Sequence, residues 1–584
     1  MRKIYIVVLM LGFIPAFLSG QNLDPTVNVS GTYHAKQVEV HKPTFKMQVP
    51  DSLEQFELKF DYSIFDAPYM GAYEFKPYLL NIKPSSSYDS SKSFYLNLGA
   101  GYSLYPELDV VYSPKLGRKF RLSVYGHHNS YFGGYRGVGL FENDGNNIVD
   151  ISNQRGYKGY NSSSRAGVNG SYDWKSGVIY LDLSYLGVAA KDSSMVRSMD
   201  GANLSLGLMS REKKKDHIFY HAHFDYSYLE DKIKLANTPK KYLGEHKIAA
   251  SADLGYSFKY SQKVLLDIDF DLYKYSSLFD NLLGNIAFTP KYEYKKNRWN
   301  LELGLEFAMF IKDNALILDD LRGQIIYPDI RANYAVIKDH LNLFVNAVGG
   351  NRVNSYSSFV NKNNHFTSLY SMPSAMLLDN SVERINICAG INGNIATKFK
   401  YMLKGGYANL ANAPIDALNS GKTLPLIPSM QNGELAPLMS YASYQMTYAS
   451  LALKWDSQDL NVSSDFIYRN TNLLNYEKVV GFAPSKFAAN LSATYNWNKR
   501  IYVGMDCDFM SSREGRIYAD SVIDAFPIYE LPYFVDLDLR AEYKFNNSLS
   551  FWLRGSNLLN MPIIYNPAVV ENGINFTLGV CYNL

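Results

Sequence analysis

Cysteine, charge and long apolar runs are all scarce in this 584-residue chain, and each shortage excludes something. Its three cysteines, Cys388, Cys507 and Cys581, are odd in number and far apart, so neither a disulfide framework nor a cysteine metal site is expected. Charged residues make up 19% and nearly cancel, to a net +3, which gives no sign of a nucleic-acid partner. After residue 18 no apolar run is long enough for a spanning helix, and the average hydropathy is slightly negative, which excludes a helical membrane protein.

Aromatics are abundant instead, with 48 Tyr and 32 Phe. The start, "MRKIYIVVLMLGFIPAFLSGQ", has Arg2 and Lys3, an apolar run from Ile4 to Leu18, then Ser19 and Gly20. This reads as a secretory signal peptide over 1–20, cut before Gln21, and the absence of Cys after the cut argues against a lipoprotein.

The period of the remaining sequence is two. "FVDLDLRAEYKF", 534–545, places Val535, Leu537, Leu539, Ala541 and Tyr543 on one side of an extended chain. Asp536, Asp538, Arg540, Glu542 and Lys544 fall on the other. Soluble strands usually run about five or six residues, whereas a tilted crossing of a bilayer takes roughly 9–11. The same pattern recurs in "IAASADLGYSFKY", "KVLLDIDFDLYKY", "SLALKWDSQDLNVSSDFIY" and "KFAANLSATYNWNKRIYVGMDCDFM". Each apolar face is free of charge through its centre. A Lys or Arg on such a face near the bilayer midplane costs roughly 2–4 kcal/mol, and an open edge in lipid leaves backbone groups unpaired.

The expected fold is therefore all-β: a transmembrane antiparallel barrel over 94–584, preceded by a short arm over 21–93. Candidate strands start near 94, 108, 119, 163, 178, 203, 216, 247, 263, 284, 298, 325, 340, 382, 399, 442, 459, 485, 500, 533, 548 and 574, about 22 in all. Short turns such as "SQ", "KN", "NK" and "NN" alternate with longer segments, which puts the C-terminus on the periplasmic side.

Resemblance to a known family enters at the C-terminus. In "FWLRGSNLLNMPIIYNPAVVENGINFTLGVCYNL" a strand runs into Asn557, Leu558, Leu559 and Asn560, then a loop and a closing strand. This resembles the final hairpin of TonB-dependent outer-membrane receptors. "QNLDPTVNVSGTYHAKQVEVHKP", "LGAGYSLYPELDVVYSP" and "LFVNAVGGNRVNSYSSF" look like a Bacteroidetes branch of such barrels. The resemblance implies a Gram-negative outer-membrane location, solute binding and transport, and lipid and the barrel-assembly machinery as partners. The closing strand ends on Leu584 where that machinery usually meets an aromatic. Gln21 to Ser93 is too short for the family's complete plug, so a separate plug or lipoprotein partner is a further expectation. "TVNVS", Thr26–Ser30, is spaced like the segment that pairs with TonB. A scaffold or secretion component acting through proteins, and a passive porin, remain the alternatives.

No residue set points to catalysis, a cofactor or a metal. Asp267, Asp269 and Asp271 spell D-x-D-x-D without the Gly and Glu of an EF-hand, and alternation turns all three to the lumen, as it does Glu302, Glu306, Asp506 and Asp508. Cys581 falls on the lumen side and Cys507 on the lipid side. His127 and His128 are neighbours on a strand, so they point apart, and they are expected where that strand meets its outer loop. Glycines in "LGAGY" and "VGGNR" read as close packing and bends. Ligand or partner contacts are expected in three outer loops, 129–162, 351–381 and 411–441. The last is rich in Pro, Leu and Met, and together with the arm it is expected to narrow the lumen.

Overall fold

The structure, a computed structural model, describes residues 93–584 apart from 103, 118, 144–145, 151–155, 192–195, 212–216, 235–242, 259–260, 278–281, 313–324, 339, 363–377, 396–397, 421–434, 475–478, 518–526 and 568. The segments expected to be a signal peptide and an arm fall on residues 1–93, of which 1–92, Thr26–Ser30 included, lie outside the described residues.

Alternation of apolar and polar side chains builds one sheet of 22 strands, and all of its pairings are antiparallel. Its first strand, Phe94–Gly101, pairs with its last, Asn575–Asn583, so the sheet is a closed barrel. Closure leaves no unpaired edge for lipid to meet. In Phe534–Lys544, Leu539 is 41% exposed and Asp538 4%, which fixes the outer and lumen faces as the alternation required. Cys581 is buried in the lumen wall, and Cys507 is half-buried on the opposite face. Trp299, Trp455 and Trp497 stand exposed on the outer surface beside the short turns, the position of an interfacial aromatic girdle.

Three strands begin earlier than expected, at Tyr157, Val196 and Leu435. In each case the added residues lie at the outer end, beyond the apolar belt. Lipid contact makes the alternation visible, and the pairing carries on without it.

The seam between first and last strands depends on glycine. Trp552 pairs with Gly579, which pairs with Gly99, placing the three in one row across the closure. A Cβ on either glycine would run into the indole. With both absent, the ring lies flat across two strands and its Nε1 donates to Asn97 Oδ1 at 2.7 Å. Gly99 of "LGAGY" is thus a packing glycine, and Gly350 of "VGGNR" sits at a register shift between Val348 and Gly350.

Candidate functional site: lumen and outer cap

Charged side chains line the lumen in pairs and networks. Lys291 Nζ lies 2.7 Å from Asp267 and 2.6 Å from Asp329, while Arg331 reaches Glu302 at 3.1 Å and Asp329 at 3.3 Å. Asp506 stands opposite Asp538 and Asp508 opposite Asp536 in register. Asn490 bonds to Asp508 and the backbone of Asn557 donates to Asp538 at 2.8 Å. Near the seam, Arg554 meets Glu107 at 2.6 Å. The lumen placement expected for Asp267, Glu302, Asp506 and Asp508 thus holds. His127 contacts Asp109, whereas His128 faces Ser164 and Ser130 at 2.7 and 3.0 Å. They point apart, but within Phe120–Tyr135 and not at its junction with a loop.

The three outer segments are more regular than loops. Residues 129–135 and 157–162 continue wall strands, and 351–353 ends another. Segment 411–441 is largely a tall hairpin, because Phe399–Ser420 and Leu435–Asp456 are each 22 residues long. Asn412, in the left-handed region at φ 54°, marks a register shift between Leu410 and Ala413. Its Nδ2 donates to Asp379 and to the Asn380 carbonyl, both at 2.8 Å. Beyond it every residue from Ala413 to Leu418 is buried. Burial on both faces removes alternation, so the stretch from Ala413 to Leu418 reads as a loop in the sequence although it is strand.

Two bodies pack against that hairpin. One is a short helix, Tyr356–Lys362, whose Tyr356, Phe359 and Val360 at helical spacing are buried against Val188, Met199, Leu229, Leu243, Tyr275 and Leu283 of the lumen face, with Met439 of the hairpin. The helix leaves Leu341–Val353 and reaches wall strands well around the circumference, so it lies inside the mouth. Ser355 caps it, accepting from the Ser358 amide at 3.2 Å, and Glu245 accepts from the Ser357 amide at 3.2 Å. Arg197 and Asp231 form a buried ion pair at 3.0 Å, and Tyr356 Oη bonds to both.

The second body is a small sheet built from outer connections alone. Gly139–Asn143, Asn146–Asp150, Ile528–Leu531, Arg513–Arg516 and Gly481–Phe482 make its five strands, the second and third parallel. Val149, Phe482, Ile517, Tyr529 and Leu531 bury its inner side against Leu418 of the hairpin and Ile564 and Val570 of the final outer segment. Arg513 joins them, donating to the carbonyls of Ile564 and Tyr565 at 3.0 Å each. Asn557 and Asn560 both adopt positive φ, and Asn557 Nδ2 ties Met561 O to Asn572 O at 2.9 and 3.0 Å. The Asn-Leu-Leu-Asn motif is therefore a clamp on the last outer segment.

Sequence reasoning missed the helix and the cap sheet, and it counted neither the connection before Phe534 nor the loop after Asn557 among the contact segments. Tyr356, Phe359 and Val360 after a capping Ser355 were a legible helix signal, though a short one. The cap sheet has no local signal, since its strands come from separate connections.

Breaking the buried pair gives a measurable expectation. Arg197→Met strands Asp231 without its cation, which costs about 3–5 kcal/mol where the partner stays buried. Denaturant unfolding in detergent should show that loss, and Arg211→Met, at an exposed pair, should show almost none.

Comparison with known proteins places the architecture. The sequence matches no family model and no curated protein. Among solved structures, the chain is similar to the FrpB iron transporter from Neisseria meningitidis, with a TM-score of 0.61 and 12% identity over 85% of this chain and 82% of that one. It is also similar to the copper transporter OprC, TM-score 0.59 and 11% identity over 85% and 80%. The ferric-catecholate import receptor Fiu from E. coli gives 0.59 and 9% over 85% and 82%. At these identities the likeness is one of fold, and that fold is the 22-stranded barrel of TonB-dependent receptors, as the C-terminal motif implied.

Proposed function

We propose that this chain is an outer-membrane transport barrel, which binds a solute at its outer cap and passes it through the lumen. One observation carries the reading. A barrel of 22 strands is too wide to be filled by its own wall, and this one has a charged lumen beneath a mouth occupied by an infolded helix and a loop-built sheet. A lumen lined with charge suits a polar cargo, and a covered mouth suits selective entry. The iron transporter, copper transporter and siderophore receptor with this fold support the reading by analogy. In it, residues 21–93 form a periplasmic or lumenal arm, Thr26–Ser30 engages TonB, and ligand contacts lie in 129–162, 351–381 and 411–441.

Spent medium from wild-type, deletion and complemented strains, compared by mass spectrometry, tests it. The deletion strain should leave at least one polar solute that the other two strains remove. Identical media, with secreted or surface proteins lost instead, would favour the scaffold alternative.

A further inference from the structure

Lumen-facing histidines form a constellation that the transport reading does not use. His221 and His223 project from His217–Lys234 to the same side, two residues apart. His221 Nδ1 lies 3.1 Å from Asp253, and His223 Nε2 lies 2.8 Å from Asp225. The remaining nitrogens, His221 Nε2 and His223 Nδ1, both turn to Tyr180 Oη, at 3.4 and 3.1 Å.

Tyr180 reaches them across an intervening strand. Tyr180 pairs with Gly207, and Gly207 pairs with His223. A Cβ at Gly207 would fall within the Tyr180 ring, so only glycine lets the phenol cross. The ring then stacks on His223, with centroids 5.9 Å apart.

Proton counting shows what this geometry leaves to lumen water or to a cation. With each imidazole N–H donated to its own aspartate, both free nitrogens are acceptors. One phenol proton satisfies only one of them. A cation between the two would satisfy both. Imidazoles whose outer nitrogens donate to carboxylates are the usual arrangement around a bound transition metal. The neighbouring wall adds negative charge, since Asp253 pairs with Asp267, and Asp269 and Asp271 continue that column. Of the nearby cations, Lys291 is shared between Asp267 and Asp329, and Lys247 lies within electrostatic reach of Asp225 and Asp271.

We propose that His221 and His223 bind a divalent first-row transition metal ion on the lumen wall, with Tyr180 and water completing its shell. Among the described residues no group of three or more His, Cys, Asp or Glu side chains is placed to hold a metal ion, so the remaining ligands have to come from Tyr180 and water. At 40% and 44% exposure, His221 and Asp253 are open to the lumen. The site stands independently of the transport reading, because binding needs neither uptake nor a partner.

The test uses the full chain without a polyhistidine tag, folded in detergent and titrated with Cu2+. Calorimetry should give one tight equivalent, and electron paramagnetic resonance should show coupling to two nitrogens. His221→Gln and His223→Gln should each remove one coupling, Asp253→Asn should weaken binding about 10- to 100-fold, and His246→Gln should change neither readout. Protection of His221 and His223 by Zn2+ from diethyl pyrocarbonate, read by mass spectrometry, checks the unmutated chain should a variant fail to fold. Two-nitrogen coupling that survives the double His→Gln variant, equal modification with and without Zn2+, or Ca2+ binding as tight as Cu2+ would overturn the proposal.

Discussion

Leu539→Arg is expected to abolish productive insertion, while Ser492→Arg at the same depth leaves it nearly intact. Leu539 projects outward near the middle of Phe534–Lys544, and its register partner Met505 lies on the same apolar face. A guanidinium there meets hydrocarbon, at a cost of roughly 2–4 kcal/mol, or about 30- to 900-fold in the folding equilibrium. Ser492 lies one position away in the row, on the lumen side opposite Asp506, with Asp538 beyond. An arginine at Ser492 enters an acidic neighbourhood. Asp538 itself, which alternation alone marks as a tolerant lumen position, is a poor control because it holds the Asn557 amide. Refolding into lipid vesicles, followed by heat-modifiable mobility, measures both variants. Equal yields would contradict the assignment of faces.

Legibility in the sequence follows the solvent. Where one face meets lipid and the other a wet lumen, as in Phe534–Lys544 or Gln262–Ser277, the contrast is written residue by residue and the strand can be read directly. Asp267, Asp269 and Asp271 were placed correctly for that reason. Where both faces are buried, as from Ala413 to Leu418, the contrast disappears and a strand passes for a loop. Tyr356–Lys362 is two turns long and set among Ser and Asn, so its apolar face rests on three residues. The cap sheet, the Arg197–Asp231–Tyr356 cluster and the Tyr180–Gly207–His223 row were illegible for another cause. Each depends on a register between strands, and no local pattern records which distant residue becomes a neighbour. Glycine carried a partial signal, since Gly99, Gly207 and Gly579 interrupt otherwise good strands where an aromatic ring must pass over the backbone.

If the lumen is the route, the helix Tyr356–Lys362 packed inside the mouth narrows it. Lumen-facing side chains from Val188 to Leu283 hold the helix in place with Arg197, Asp231 and Glu245. Replacing 355–378 with a Gly-Ser linker removes that obstruction and leaves the wall pairing untouched. Steady conductance in planar bilayers tests this most directly, with the full chain compared against a chain lacking 21–90 and that same chain with the linker. Little steady conductance is expected for the full chain, with a clear rise when the linker is added to the truncated one. A large, stable open pore in the full chain, or identical conductance with and without the helix, would contradict it.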